Sequence, residues 1–493
     1  MNTSPCKLLS AVRQIGRAQI EFGAMLALVM LLTSAANVAG QVPCEDGFAG
    51  DYPCLGMDLM CVKSVVEMGG MPEGNGNDCW GWTSGDREFM LFGRSDGTTV
   101  IEVTDPVNPV IMSDIPTSSV PSLWRDIKVI GDVAFIVSEA GQHGMQVVDL
   151  SQLSDLEPGE PLDLLAYYTG FGSAHNVVAN PETGFIYGVG TDTFDGGLHI
   201  VDVNNPSAPT LVGSWAEDYI HDAQAVIYTG PDTEHVGKEI VIAFSGYSGC
   251  HIIDVQDKLD CQTLSTMTNP EWVYPHQGWL TDDQRFVLMN DEIDESNGIA
   301  PLTRTWIFDV QDLDNPVAIG FHEGTLGVTD HNLYIHEGRA YEANYYAGMQ
   351  VLDIVDLANG ELEMTAFFDT NPFWDGVGTS GGAWNVYPFF ESGNIAISTQ
   401  SHFFMVRPSE VVSDLAPAIA PDSNRLLLRV ETGQVRLKST SNGVAMVFDT
   451  MGRLQATWPL QSTGWSNFNT EGWAAGTYVV QTESGQAERF VIR

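Results

Sequence analysis

Four histidines stand at matching places in repeated phrases of this 493-residue chain. Each comes just before an apolar run, as in AHNVV, IHDAQAV, PHQGWL and DHNLYI. The four are His175, His221, His276 and His331. Imidazole is a common ligand of zinc, manganese and iron, and it also exchanges protons near neutral pH. If the repeats bring these side chains together, the sequence predicts a metal site or an acid–base site.

Carboxylates and an arginine occupy neighbouring places in the same repeats. Arg125 stands where other repeats have histidine, and Asp126 and Asp222 follow two of these positions. Glu139 and Asp192 end the strand predicted next, which runs back to the same face in an antiparallel sheet. We therefore expect a central funnel that could hold a divalent metal. The alternative, to which we give more weight, is that these polar side chains only tie neighbouring repeats together.

A second candidate site is the acidic phrase NDEIDES, which begins at Asn290. Asp291, Glu292, Asp294 and Glu295 supply the carboxylate oxygens that calcium prefers. The phrase lacks the glycine and the spacing of an EF-hand loop. On so acidic a chain, a solvated loop is the interpretation that we favour over a calcium site.

The elements that must position these residues come from one recurring phrase, of which GLHIVDVNNPSAP is the clearest copy. Its apolar alternation predicts a strand, and its prolines predict the turn that follows. Seven copies begin at Gly97, Gly144, Gly197, Cys250, Thr305, Gly348 and Phe403. Four short strands per unit of roughly 40–55 residues are typical of a propeller blade. The sequence predicts an all-β protein with a seven-bladed β-propeller.

The seventh unit ends before its fourth strand, and a strand predicted at residues 57–66 could supply it. That would close the ring and leave fewer exposed strand edges. We place the propeller at residues 41–412 and a Pro/Ala-rich linker at 413–423. Residues 424–493 alternate between apolar and polar side chains, which predicts a separate small β-sandwich domain.

The N-terminus predicts export. Three basic residues precede an apolar run that ends in small side chains, so residues 1–40 are expected to be a cleaved signal peptide. We expect no membrane span after cleavage and a secreted or surface-attached protein. The net charge of -43 repels nucleic acid and anionic lipid, so neither is an expected partner.

Cysteine usage fits an exported chain. Six cysteines remain once Cys6 leaves with the signal peptide, and an even number suggests disulfides. Proximity in sequence favours the pairs Cys44–Cys54, Cys61–Cys79 and Cys250–Cys261, although six cysteines allow other connectivities.

Many phrases carry a resemblance to a known family. CEDGFAGDYPC, GRSDGTTVIEVTDP, WRDIKV, HGMQVVDL, GGLHIVDV, HQGWL, TRTWIFDV and GAWNVYPF occur in one order. With them, the region resembles the LVIVD-repeat proteins of the choice-of-anchor B family. VFDTMGRL, AAGTYVV and the terminal FVIR resemble a type IX secretion sorting domain. The resemblance implies a propeller delivered by the type IX secretion machinery to the cell surface or the medium, but no reaction.

Three functions stay open at this point. There is no Walker A phrase, and in a chain predicted to be all-β no glycine-rich phrase stands between a strand and a helix, as a nucleophile elbow or a dinucleotide fingerprint requires. This favours a binding or scaffold module with a protein or glycan ligand over an enzyme. A metal-dependent hydrolase using the funnel is the first alternative. A glycan-binding adhesin is the second, because aromatic rings stack on sugars. Its candidate residues are Trp80, Trp82, Trp124, Trp279 and Trp384.

Overall fold

In the computed structural model, the described residues are 40–374, 376–409 and eight segments near the C-terminus. Those segments are 427–431, 434–438, 443–449, 453–460, 465–470, 472–474, 476–482 and 487–492. The predicted signal peptide, except Gly40, and the predicted linker at 413–423 lie outside the described residues.

Seven antiparallel sheets follow one another along the chain, and each of the first five consists of four strands that are consecutive in sequence. They are preceded by β1 (Phe48–Ala49), β2 (Tyr52–Leu55) and β3 (Met57–Ser64). The first sheet contains β4 (Gly76–Ser84), β5 (Arg87–Arg94), β6 (Gly97–Glu102) and β7 (Val110–Pro116). The second contains β8 (Arg125–Ile130), β9 (Val133–Ser138), β10 (Met145–Asp149) and β11 (Leu164–Tyr168). The third contains β12 (Asn176–Asn180), β13 (Phe185–Val189), β14 (Leu198–Asp202) and β15 (Thr210–Trp215).

The remaining sheets of the ring repeat this order. The fourth contains β16 (Asp222–Ile227), β17 (Glu239–Phe244), β18 (Cys250–Asp254) and β19 (Gln262–Met267). The fifth contains β20 (Pro275–Leu280), β21 (Phe286–Asp291), β22 (Arg304–Asp309) and β23 (Val317–Glu323). The sixth contains β24 (Asn332–His336), β25 (Arg339–Ala343), β26 (Met349–Asp356) and β27 (Glu361–Phe368). The seventh begins with β28 (Ala383–Tyr387), β29 (Ile395–Thr399) and β30 (His402–Pro408). Short 3₁₀ helices are Leu150–Ser154, Phe194–Gly196, Gly246–Ser248 and Leu357–Asn359.

The sheets close into a ring, which confirms the predicted seven-bladed propeller. The first strand of each sheet contacts the first strand of the next, and β28 contacts β4. The fourth strand of the seventh sheet is β3, which pairs antiparallel with β30 from Met57 opposite Pro408 to Ser64 opposite His402. N-terminal strands β1 and β2 extend the sixth sheet, because β2 pairs with β27. The ring therefore has its inner strands around one central axis.

In the second to fifth blades, an aspartate ends the third strand and shapes the turn after it. Asp202 accepts a hydrogen bond from the backbone N–H of the residue two positions later at 2.9 Å, and Asp254 and Asp309 do the same at 3.0 and 2.9 Å. An aspartate bonded in this way mimics a backbone turn. These repeated carboxylates belong to the scaffold and not to a site.

One of the three predicted disulfides is present, between Cys44 and Cys54. Cys61, Cys79, Cys250 and Cys261 are free, so the other two predicted pairs are wrong. Cys61 lies on the outermost strand of the seventh sheet, whereas Cys79 lies on the innermost strand of the first.

Cys250 and Cys261 lie at opposite ends of one β-hairpin. Cys250 pairs with Met267, while Cys261 precedes the pair of Gln262 with Asp254. Four residues of strand span roughly 13 Å, and a disulfide needs Cα atoms within about 7 Å. Closeness in sequence was misleading here, because the hairpin carries the two cysteines apart.

Two more sheets follow residue 426 and confirm the predicted C-terminal β-sandwich. One contains β31 (Leu427–Glu431), β32 (Gln434–Lys438) and β35 (Trp465–Asn469). The other contains β33 (Gly443–Asp449), β34 (Leu454–Leu460), β36 (Gly476–Thr482) and β37 (Ala487–Ile492). Val435 and Leu437 of the first sheet share one buried cluster with Ala445 and Val447 of the second.

Candidate metal centre

The four repeat histidines lie side by side around the propeller axis, just before or at the start of the inner strands of four consecutive blades. Ring centroids are 4.0 Å apart between His175 and His221, 4.4 Å between His221 and His276, and 4.3 Å between His276 and His331. Nε2 of His175 lies 3.0 Å from Nε2 of His221. Two nitrogens bound to one zinc at about 2.0–2.1 Å stand at a similar separation. The spacing therefore fits a shared ion.

Hydrogen bonds at Nδ1 point the Nε2 lone pairs toward the axis. Nδ1 of His175 lies 2.6 Å from a carboxylate oxygen of Glu139. Nδ1 of His331 lies 2.6 Å from the carbonyl oxygen of Trp384. Both oxygens only accept, so each Nδ1 donates its proton, and Nε2 is the nitrogen that carries the lone pair whenever the ring is neutral. Metal-bound histidines are oriented in this way by acceptors in their outer shell.

Tyrosines surround the second imidazole of the cluster. The hydroxyls of Tyr219 and Tyr274 lie 3.1 and 2.9 Å from Nδ1 of His221. Each of them stands two residues before a histidine of the cluster, in the phrases YIH and YPH. Sequence reasoning missed both tyrosines, and that shared spacing is the signal that could have found them.

Glu292 brings the one carboxylate that faces two imidazoles. Its Oε2 lies 3.7 Å from Nε2 of His276, and its Oε1 lies 3.9 Å from Nε2 of His331. Tyr345 donates a hydrogen bond to Oε1 at 2.7 Å. Ligand atoms of His221, His276 and Glu292 all lie within 4.8 Å of one another. Two imidazoles and one carboxylate therefore lie close enough together to hold one ion, with His175 and His331 on either side.

Burial favours the neutral form of three of the imidazoles. It lowers the pKa of His331 to about 3, and it lowers the pKa of His221 and His276 well below the usual range, with neighbouring imidazoles adding to the shift. Burial also raises the pKa of Glu292. A neutral imidazole needs no deprotonation before it binds a metal, so protons compete weakly with metal at these nitrogens.

A cleft of about 270 Å³ opens onto the cluster. Its walls carry aromatic, cationic and amide groups beside the imidazoles. The lining residues are Trp124, Arg125, His175, Asn176, His276, His331, Asn332 and Trp384. The cleft therefore gives solvent access to the largely buried rings of His175, His276 and His331.

Most polar residues that follow the histidine positions tie one blade to the next. Asp126 accepts from the backbone N–H of Val177 in the third blade at 2.7 Å. Gln277 accepts from the backbone N–H of Leu333 in the sixth blade at 2.8 Å. For Asp126 the structural interpretation therefore holds, because its carboxylate is used between blades and does not face the imidazoles.

Three further predicted funnel residues are used elsewhere. Asp222 accepts from the backbone N–H of Ala223 at 2.7 Å, and burial raises its pKa to about 7. Asp192 is exposed and accepts from the backbone N–H of Gly172 at 2.8 Å. Arg125 is buried and donates to the Arg94 carbonyl and the Thr117 hydroxyl at 3.0 and 2.8 Å. Only Arg125 also lines the cleft.

A buried ion pair lies on the inner strands β8 and β4 of the first two blades. Nζ of Lys128 lies 2.7 Å from Asp126 Oδ1, 3.4 Å from Asp78 Oδ2 and 4.5 Å from the centre of the Trp80 ring. Burial alone would lower the pKa of Lys128, but Asp126 and Asp78 raise it well above its usual range. Burial raises the pKa of Asp78 well above its usual range, whereas Lys128 lowers the pKa of Asp126 despite its burial. Asp126 is therefore the carboxylate that more readily carries the charge opposite Lys128.

The predicted calcium phrase is not a solvated loop, so that preference was wrong. Asp291, Asp294 and Glu295 are buried. Asp291 accepts from the backbone N–H groups of Val273 and Tyr274 at 2.7 and 2.8 Å, and Glu292 faces the imidazoles. The four predicted ligands therefore do not converge, and only Asp294 and Glu295 lie together, beside Asp330.

The tryptophans do not form one exposed platform. Trp82 is buried, and Trp80 and Trp279 both pack edge-on against Tyr334. Trp124 is exposed and lines the cleft with Trp384. Of the five tryptophans predicted to stack on a glycan, only Trp124 and Trp384 therefore line the cleft.

Comparison with known proteins identifies one repeat family in this chain. The LVIVD repeat family matches residues 192–217, which include β14 and β15. No curated protein matches the chain. In the part of the chain that the structure describes, no helix is long and apolar enough to span a bilayer.

Among solved structures, the chain is similar to PorZ of Porphyromonas gingivalis, described as an essential bacterial surface component of the type-IX secretion system. The match has 14% sequence identity and a TM-score of 0.42, and it covers 84% of this chain and 59% of PorZ. At this level the likeness carries no information about activity. The chain is thus a seven-bladed β-propeller that contains an LVIVD repeat.

Proposed function

We propose that this protein is an exported β-propeller that binds one divalent transition-metal ion at its axis, where it serves as a binding module. The observation that carries the proposal is the pair of Nε2 atoms of His175 and His221, 3.0 Å apart. His175 must donate from Nδ1 to Glu139, so its Nε2 presents a lone pair to the second ring. An ion coordinated by both nitrogens accounts for this contact.

The donor set indicates the class of metal. Imidazole nitrogens suit zinc, iron, copper and nickel, whereas calcium and magnesium prefer oxygen ligands. Glu292 adds one negative charge next to two of the imidazoles. The competing account is a hydrogen bond in which Nε2–H of His221 donates to Nε2 of His175, with Nδ1 of His221 accepting from a tyrosine hydroxyl.

Elemental analysis of the full chain, purified without an affinity tag, tests the proposal. The expected result is about one zinc, manganese, iron or copper ion per chain that survives dialysis. The hydrogen-bond account predicts no transition metal, even after incubation with an excess of zinc and removal of the unbound ions. That result would leave the imidazoles as ties between blades.

Metal-dependent hydrolysis is the second candidate function, and the cleft over the cluster favours it. Arg125 and Trp124 line the same cleft as three of the imidazoles, so an anionic ester or phosphoester could lie within reach of a metal-bound water. The test is hydrolysis of small esters and phosphoesters by the metal-loaded protein. Hydrolysis that is lost with a chelator and returns with zinc would support an enzyme. If no substrate is hydrolysed, the binding-module function remains.

The cellular location of the protein is also part of the proposal. The N-terminal phrase and the C-terminal phrases VFDTMGRL, AAGTYVV and FVIR support export through a type IX route, with the sorting machinery as partner. The strongly acidic composition fits a protein that stays soluble outside the cell.

A further inference from the structure

Three buried carboxylates meet where the fifth blade adjoins the sixth. Asp294 and Glu295 lie in the segment between β21 and β22, and Asp330 lies just before β24. Their exposed fractions are 0%, 6% and 1%. One oxygen from each lies within 4.8 Å of the other two. Like charges at this distance repel one another strongly when water is excluded.

The oxygens of this acidic triad lack the partners that buried carboxylates need. Both oxygens of Asp294, both of Glu295 and Oδ1 of Asp330 are buried without a hydrogen-bond partner among the described residues. The backbone N–H of Arg304 donates to Oδ2 of Asp330 at 3.0 Å. Buried carboxylates are normally paired, hydrogen-bonded or bound to a metal. A proton shared between Asp294 and Glu295 would satisfy part of this need, because burial and the neighbouring carboxylate raise the pKa of Glu295 to about 10. It would leave Oδ1 of Asp330 without a partner, whereas one cation would satisfy all three side chains.

Neighbouring carboxylates show that the shortage is local to the triad. Asp291 accepts two backbone hydrogen bonds, as described above. Glu342 accepts from the Thr305 hydroxyl at 2.6 Å and from the Asn344 amide at 2.9 Å. The fold therefore supplies donors to the acidic groups around the triad, but within the triad only Oδ2 of Asp330 receives one.

Protein cations do not fill the gap. Within the described residues, no side-chain nitrogen of an arginine, lysine or histidine lies within 4.0 Å of the three carboxylates. Arg304 influences Asp294 electrostatically, but its Nη1 pairs with Glu271 at 3.2 Å and its guanidinium lies over the Phe321 ring.

The loop that carries two of the ligands is held in place before any ion binds. The carbonyl oxygen of Asp294 accepts from the backbone N–H groups of Ile299 and Ala300 at 2.9 and 3.3 Å. The backbone N–H of Gly298 donates to the carbonyl of Glu295 at 3.0 Å, and Gly298 has a φ of 70°, which favours glycine. A site ordered in this way loses little conformational entropy on binding.

We infer that Asp294, Glu295 and Asp330 form a buried calcium site. Three carboxylates and no nitrogen donor are the ligand chemistry of a hard cation, and the flexible oxygen geometry suits calcium better than magnesium. The site is distinct from the imidazole cluster, and the inference does not depend on metal at the histidines. The chain does join the two, since Glu292 lies two residues before Asp294, and His331 directly follows Asp330.

The experiment compares thermal unfolding of the full chain in calcium, in magnesium and in a calcium chelator, at roughly physiological ionic strength. Calcium at about 100 times its dissociation constant is expected to raise Tm by roughly 3–6 °C. Calorimetric titration should show one saturable equivalent of calcium. An unchanged Tm, or an equal shift with magnesium, would overturn the assignment.

Variants separate this site from general charge effects and from the histidine cluster. Asp294→Asn/Glu295→Gln should lose the calcium response and, in chelator, unfold no earlier than the parent protein, because the mutual repulsion is gone. Asp282→Asn, which removes an exposed carboxylate, and His221→Ala should both keep the calcium-induced shift. A double variant that responds to calcium as the parent does would refute the site, whatever the histidines bind.

Discussion

Replacing Lys128 by methionine is expected to lower the free energy of unfolding by about 3–5 kcal/mol, because the change leaves a buried charge without its partner. Asp126 lies 2.7 Å from the ammonium group and is itself buried. Methionine keeps the apolar stem that lies against Trp80 and removes only the charge. Guanidinium unfolding followed by tryptophan fluorescence measures the loss.

Two controls identify the cause of this loss. Lys128→Met combined with Asp126→Asn should recover much of the stability, because the asparagine oxygen can still accept from Val177 without carrying a charge. Lys63→Met removes a half-exposed lysine 4.0 Å from Glu67 and should change stability by no more than about 0.5 kcal/mol. If Lys128→Met is as stable as the parent, the ion pair does not hold the inner strands together.

Replacing His276 by asparagine is expected to weaken zinc binding by more than the roughly 10–100-fold that loss of an outer-shell partner costs. Its Nε2 lies 3.7 Å from the Glu292 carboxylate, and its ring stands between those of His221 and His331. The asparagine side chain has no ring, and its amide is too short to place a donor atom where Nε2 of His276 lies. Competition with a chromophoric zinc chelator measures the affinity.

A graded set of variants makes this result specific. Glu139→Gln keeps the hydrogen bond to His175 but removes the carboxylate, so its affinity for zinc should fall by about 10–100-fold. His402→Asn changes a histidine on the seventh blade that bonds Ser401 and should bind zinc as the parent does. Equal affinities across all three variants would mean that zinc binds elsewhere.

The sequence was sufficient for the fold because its signals are local and repeated. The strand-and-turn phrase GLHIVDVNNPSAP returns at nearly regular intervals, and its third-strand aspartates build the turns that the phrase predicts. The four histidines could be aligned because they share one place in each repeat. A repeat places such residues around one axis before any distance is known.

Distances and burial could not be predicted in the same way. Asp126 and Glu139 have the same chemistry in sequence, yet one bonds the next blade and the other bonds an imidazole. Glu292 was expected beside Asp294, but it points toward the histidines, because successive residues leave a strand in different directions. The burial of Asp294 depends on how two blades pack, and no local pattern reports that contact.

Zinc K-edge X-ray absorption of the zinc-loaded full chain tests the metal centre most directly. The imidazole arrangement predicts nitrogen or oxygen neighbours at about 2.0–2.2 Å, with the multiple scattering of at least three histidine rings. In His276→Asn, the imidazole scattering should fall. A spectrum with oxygen neighbours alone, or a protein that retains no zinc, would contradict a metal centre at the propeller axis and leave the four histidines as contacts between blades.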